Sequence, residues 1–174
     1  MDASTNLPAE TIVYQDEQHL IGVRGNTVVS CSLDAPNPRF LEACSRTMDS
    51  LARQRSLPLL LLTIIDQRAR APDDAGKLAI RQTMLRHAAQ IHAFAYVVEG
   101  EGFAAAAVRG ALSLISLLAR YSFPHKVFGR VEDAVPWMLS RPTPSGQSTP
   151  GADELIGFAK SLSARLKSSR ERAT

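Results

Sequence analysis

Residues Leu57–Ile65 read LPLLLLTII, the most apolar stretch that the sequence offers for a strand. A continuous apolar run of this length, without polar alternation, predicts a strand buried on both faces, as in the centre of a parallel sheet. The run leads directly into Asp66, Gln67 and Arg68. In open α/β sheets, function is located beyond the carboxyl ends of the strands. This turn is therefore the first candidate site.

Upstream of this strand, the sequence predicts a small β-meander. Three short apolar runs lie between Thr11 and Ser32, and Gly25-Asn26 joins the last two in the manner of a tight hairpin. Asn37-Pro38 then predicts the start of an amphipathic helix, because Asn can cap a helix and Pro suits its first position.

Downstream, helix and strand patterns alternate. The predicted elements are a helix over Asp74–Gln90, a strand over Ala93–Val98, a helix over Phe103–Arg120, an edge strand at Val127–Phe128 and a last helix over Glu132–Leu139 that Pro136 would kink or delay. Alternation of this kind predicts right-handed crossovers and a mixed, mainly parallel sheet with four to five helices. The predicted fold class is α/β.

The chain divides into three predicted parts. Residues 11–140 form one α/β domain, and residues 141–151, rich in Pro, Ser and Gly, form a linker. Residues 152–172 form an amphipathic helix with a narrow apolar face. This helix could lie on a membrane, pair with a partner helix or fold back on its own domain. We favour a protein contact or a loosely held tail over binding to a membrane.

Bulk composition excludes several classes of function. The net charge of +3 is small, and no basic stripe suited to nucleic acid is visible. The two cysteines, Cys31 and Cys44, have no metal-binding spacing. No secretion signal or membrane span is apparent, so a cytoplasmic protein is expected.

The topology would bring Asp66 to the same edge as Glu99 and Glu101. Three carboxylates could hold Mg²⁺, but capping of helix N-termini accounts for them more simply. The turn Glu99-Gly100-Glu101-Gly102-Phe103 could likewise offer backbone N–H groups to a ligand. It matches no phosphate-binding motif, and tight turning is the preferred explanation. No metal or cofactor is predicted.

The four histidines, His19, His87, His92 and His125, have no Ser, Cys or carboxylate at a recognisable spacing, and G-x-S-x-G is absent. We therefore expect structural or surface roles for them, and no catalysis.

The order of elements resembles the STAS domain, the fold of anti-sigma-factor antagonists. The segment AYVVEGEGFAAAAVRGALSLISLLAR, followed by FPHKVFGRVEDAVPWML, is similar to a bacterial STAS/SEC14-like group. The resemblance covers residues 11–140. It implies a regulatory module that binds another protein, such as a kinase-like regulator or a component of a sigma-factor pathway.

In signalling STAS domains a Ser or Thr that follows the aspartate after the central strand is phosphorylated. Here the aspartate matches Asp66, but Gln67, Arg68, Ala69 and Arg70 follow it. The resemblance thus implies a binding surface without this phosphate acceptor, while Thr63 is expected to be inaccessible inside the strand.

The leading hypothesis is a non-enzymatic protein-interaction module, with a homodimer left open. Its predicted contact surface is positive and suits an acidic partner; it comprises Asp66, Gln67, Arg68, Arg70, Lys77 and Arg81. The alternatives are a SEC14-like binder of an apolar small molecule, in space beside the helix over Phe103–Arg120, and a Mg²⁺-dependent enzyme.

Overall fold

The computed structural model describes residues 10–55, 58–100, 102, 105–110, 112, 120–141 and 150–173. These residues form one six-stranded sheet in which the strand order follows the chain order. The strands are β1 (Glu10–Gln15), β2 (His19–Arg24), β3 (Thr27–Ser32), β4 (Leu59–Ile65), β5 (Ile91–Val98) and β6 (His125–Phe128). The meander β1–β2–β3 is antiparallel, and β3 to β6 are parallel to one another. The predicted mixed, mainly parallel α/β class is confirmed.

Four helices with defined ends lie in the described part of the chain, and the backbone is also helical over residues 105–110. The four are α1 (Pro38–Arg55), α2 (Asp74–Arg86), α3 (Val131–Leu139) and α4 (Ala152–Ala173). Helix α1 begins as predicted, with Oδ1 of Asn37 accepting a hydrogen bond from the Phe40 N–H at 2.9 Å. Helix α2 ends earlier than predicted, at Arg86. Helix α3 begins at Val131 with Pro136 inside it, so the predicted late start is wrong.

The strand order explains which helix covers which face of the sheet. Right-handed crossovers that always step to the next strand on the same side place their helices on one face. Helices α1 and α2 accordingly pack with Leu59 and Leu61 of β4. The opposite face, with Leu60, Leu62 and Ile64, is covered by α3 and α4. Strand β4 is therefore buried on both faces, as its apolar run predicts.

Helix α4 is part of the core, and the expectation of a loosely held tail is wrong. Its buried face lies over β2 and β3 and comprises Leu155, Phe158, Ala159, Leu162 and Leu166. Gly22 lies beneath it, where an added Cβ would sit 2.5 Å from Cδ1 of Leu162 and 2.8 Å from Cζ of Phe158. The glycine thus lets α4 approach the sheet closely. Most of the predicted linker, residues 142–149, lies outside the described residues.

Candidate functional site

Strands β3 to β6 end at one edge of the sheet, which we call the carboxyl edge. The turn that follows β4 is fixed by Asp66, whose Oδ1 accepts a hydrogen bond from the Arg68 N–H at 2.8 Å. The Asp66 N–H donates to the carbonyl of Ser32 at 2.9 Å, and its carbonyl accepts from Ala69 at 2.9 Å. Asp66 therefore acts as a turn-forming residue of the Asx type.

Two cations of the predicted contact surface are already paired. The Arg70 guanidinium binds Asp34 through Nε, at 2.9 and 3.1 Å from the two carboxylate oxygens, and through a terminal nitrogen at 2.6 Å. Hydrogen bonding from Arg70 holds the pKa of Asp34 well below its usual range. Nζ of Lys77 lies 2.9 Å from Oδ1 of Asp74. Their charges are thus partly neutralised.

The outer face of α2 exposes both a positive charge and apolar side chains to solvent. Leu78 is 52% exposed and Leu85 is 46% exposed, and Arg81 lies between them on the helix. These three residues will be called the α2 surface. Within the described residues Arg81 makes no ion pair, and neither does Arg68 in the loop leading to α2. Among the residues that the structure describes, Arg81 therefore has no counter-ion and lies beside two exposed leucines.

The glycine turn after β5 is held closed by side chains. Gly100 and Gly102 have φ values of 121° and 85°, which only glycine adopts readily. A terminal nitrogen of Arg109 donates to the carbonyls of Val98 and Gly100, both at 3.1 Å. Gln67 occupies the space that a Gly100 side chain would need. The positive φ values account for both glycines, and the contact with Gln67 gives a second reason for Gly100.

The three candidate magnesium ligands are not seen to converge. Glu99 pairs with Lys167 of α4 at 3.3 Å, while Asp66 is used in its turn. Glu101 lies outside the described residues, as does Phe103 of the predicted ligand turn. Over the part of the chain that is described, no group of three His, Cys, Asp or Glu side chains is placed to hold a metal ion.

Thr63 is half-buried and remains inside β4. Its Oγ1 lies 2.9 Å from Oγ of Ser30 on the neighbouring strand, so the two hydroxyls satisfy each other. Next along β3, Ser32 is buried, and its hydroxyl has no hydrogen-bond partner among the described residues.

His19 belongs to a polar network that the sequence did not indicate. The Asp16 carboxylate accepts hydrogen bonds from the Tyr14 hydroxyl at 2.6 Å, from the His19 N–H at 2.6 Å and from Asn37 Nδ2 at 3.2 Å. Nδ1 of His19 lies 3.2 Å from Asp16, and its ring stacks on Phe40 with the centroids 4.5 Å apart. Burial and the bond to Asp16 raise the pKa of Tyr14 to about 12. The network joins the β1–β2 turn to the start of α1.

His87 has a second set of neighbours. Its Nε2 lies 2.8 Å from Oγ of Ser45, and its Nδ1 lies 3.2 Å from Oε1 of Gln90 and 3.6 Å from Oδ1 of Asp49. The expectation that no Ser or carboxylate accompanies a histidine is therefore wrong for His87, and also for His19 because Asp16 lies beside it. The only available signal was the spacing of Ser45 and Asp49, which places them one turn apart on α1.

An open cavity of about 560 Å³ lies between the edge strand β1 and α4. Its walls are mixed: Ile12, Phe158 and Leu162 are apolar, whereas Thr11, Ser161 and Arg165 are polar or charged. Nε of Arg165 donates to Gln15 at 3.0 Å, and Oγ1 of Thr11 is buried without a hydrogen-bond partner among the described residues. The space predicted beside the helix over 103–120 falls largely outside the described residues.

Comparison with protein-family models, with curated proteins and with solved structures found no match for this chain. The resemblance to STAS domains therefore stays a prediction. None of the helices in the described ranges is long and apolar enough to cross a membrane.

Proposed function

We propose that this protein is a STAS-like regulatory module that binds another protein through the α2 surface and the loop before it. The observation that carries the proposal is the exposure of Leu78 and Leu85, at 52% and 46%, on a helix whose inner face packs against the core. Leucines seven residues apart lie on the same side of a helix. Together they offer apolar area that a partner would bury.

The charges nearby favour an acidic partner. Arg81 lies between the two leucines, and Arg68 is exposed in the preceding loop. An acidic surface would be attracted to these cations, so that association would be faster at low ionic strength than at high. Arg70 is a weaker candidate for direct recognition because Asp34 already binds its guanidinium. The proposed partner is a regulator, such as a kinase-like protein or a component of a sigma-factor pathway.

The test is recovery of partners from an extract of the native organism by the full chain and its variants. Leu78→Asp combined with Leu85→Asp is expected to weaken binding of a specific partner by about tenfold to a hundredfold, the usual effect of losing central apolar contacts. Arg68→Glu with Arg81→Glu should lower binding and also reduce its salt dependence.

The matched control is Arg53→Glu combined with Arg39→Glu, which reverses two exposed arginines of α1 and so makes the same charge change away from α2. A partner that wild type and this control retain, and that both double variants lose, supports the proposal. A partner bound equally by all four proteins contradicts it.

A second candidate function is binding of an apolar small molecule that carries an acidic group. The cavity between β1 and α4 favours it, since about 560 Å³ is within the range of small-ligand sites. Phe158 and Leu162 provide apolar walls, and the exposed Arg165 would bind a carboxylate. Decanoate has both features and serves as the probe.

Titration of decanoate into the full chain, followed by NMR, tests this candidate. Arg165→Gln is expected to weaken binding about tenfold, the order of one charge-assisted hydrogen bond. Arg172→Gln, an exposed arginine further along α4, should leave the affinity unchanged. Absence of saturable shifts in Phe158 and Leu162 would exclude the candidate.

A further inference from the structure

The cluster of Ser45, His87, Asp49 and Gln90 lies apart from the α2 surface and plays no part in the proposed function. Ser45 and Asp49 are one turn apart on α1, and His87 directly follows the last residue of α2. His87 is only 1% exposed, whereas the Asp49 side chain is 43% exposed and Ser45 is half-buried. A buried imidazole thus holds a hydroxyl close to solvent.

The neighbours of His87 favour one position for its ring proton. Nδ1 faces two oxygens, Oε1 of Gln90 at 3.2 Å and Oδ1 of Asp49 at 3.6 Å. Oxygen acceptors on that side favour the tautomer that carries its proton on Nδ1. In that tautomer Nε2 carries a lone pair and accepts a hydrogen bond from the Ser45 hydroxyl, whose Oγ lies 2.8 Å away.

We propose that Ser45 is a nucleophilic hydroxyl with His87 as its general base, and that Asp49 and Gln90 position the imidazole. A hydroxyl hydrogen-bonded to a base that a third group orients is the arrangement that activates serine nucleophiles. The site would take a small electrophile with a good leaving group, such as an activated acyl or phosphonyl compound. Ser45 is the residue that becomes modified.

A fluorophosphonate ester shows how the step balances. Oγ of Ser45 forms a bond to phosphorus and the phosphorus–fluorine bond breaks. His87 accepts the hydroxyl proton, which finally leaves with fluoride. The product is a phosphonylated serine, and no oxidant or reductant is needed.

The position of Ser45 limits the reaction to one modification per molecule. Ser45 lies in the interior of α1, where backbone N–H groups bond to carbonyls of the preceding turn. They are therefore not free to stabilise a developing oxyanion, a contribution worth about 10²–10³ in rate in hydrolases. We expect slow, stoichiometric labelling rather than turnover.

The experiment incubates the full chain with a fluorophosphonate probe and locates the adduct by peptide mass spectrometry. Wild type should be labelled at Ser45, and Ser45→Ala should not. His87→Gln is expected to slow labelling about a hundredfold, as loss of a general base does. Ser50→Ala, a serine further along the same helix, is the matched control and should label like wild type.

Asp49→Asn keeps the proposal testable if His87→Gln does not fold. Asp49 is partly exposed, so this substitution should leave the fold intact. We expect it to slow labelling roughly threefold to tenfold, with a change in the pH profile that a purely structural contact would not produce. Absence of an adduct at Ser45, or equal rates and pH profiles in wild type and Asp49→Asn, would overturn the proposal.

Discussion

Deletion of residues 150–174 is expected to abolish the cooperative unfolding transition of this protein. The deletion removes α4, whose four large buried side chains, those of Leu155, Phe158, Leu162 and Leu166, are at most 5% exposed. Burying each contributes about 1.5–3 kcal/mol, or roughly 6–12 kcal/mol together. That sum is comparable with the whole stability of an ordinary domain, about 5–15 kcal/mol. Urea unfolding followed by circular dichroism provides the measurement.

A matched pair of point variants tests the packing of α4 without shortening the chain. Leu162→Ala is expected to lower the free energy of unfolding by about 2–5 kcal/mol, because it leaves a cavity above Gly22. Leu78→Ala removes the same atoms from an exposed position on α2 and should change the free energy of unfolding by less than about 0.5 kcal/mol. Similar effects for the two variants, or a truncated chain that still unfolds cooperatively at wild-type urea concentrations, would show that α4 is not part of the core.

Asp16→Ala is expected to lower the free energy of unfolding by about 3–5 kcal/mol, since several donors lose one charged acceptor together. The carboxylate binds the Tyr14 hydroxyl, the backbone N–H groups of Gln18 and His19, and the Asn37 amide. His19, 1% exposed, would be left beside the gap. Thermal and urea unfolding measure the effect. Glu17→Ala, the exposed acid next in the chain, is the control and should be nearly neutral.

The same residue predicts a dependence on pH. Partial burial of Asp16 opposes its ionisation, but the hydrogen bonds from Tyr14, Gln18, Asn37 and His19 outweigh that effect and lower its pKa. A carboxyl whose pKa is lower in the folded state stabilises the protein fully above its ordinary pKa, near 3.9, and this stabilisation is lost as the pH falls through the folded value. The stability difference between wild type and Asp16→Ala should therefore shrink below about pH 4. A constant difference from pH 7 to pH 2 would contradict this assignment.

Local sequence patterns predicted much of the fold. The apolar run before Asp66 identified β4, because a strand covered on both faces has no polar positions to alternate. Asn37 and Pro38 identified the start of α1, since capping depends on residues adjacent in sequence. The amphipathic pattern of α4 also gave its bounds closely. The pattern indicated that one face needs an apolar cover, but it did not show whether this chain or a partner supplies that cover, and the preference for a loosely held tail was wrong.

The candidate sites were likewise predictable only in part from the sequence. The exposed arginines after β4 followed from the end of the strand, but their pairing did not. Asp34 and Arg70 are far apart in sequence, and only the parallel pairing of β3 with β4 brings them together. Ser45 and His87 likewise lie on different helices, and their contact depends on how α1 packs against α2.

The sequence by itself determined the strands, the helices and the α/β class, because these depend on spacing within a few turns of chain. Only the tertiary structure decided what covers the second face of the sheet and which polar groups meet. With strands placed in chain order, right-handed crossovers leave one face without connecting helices. Leu62 and its neighbours on that face must still be removed from water, and the C-terminal helices α3 and α4 do so.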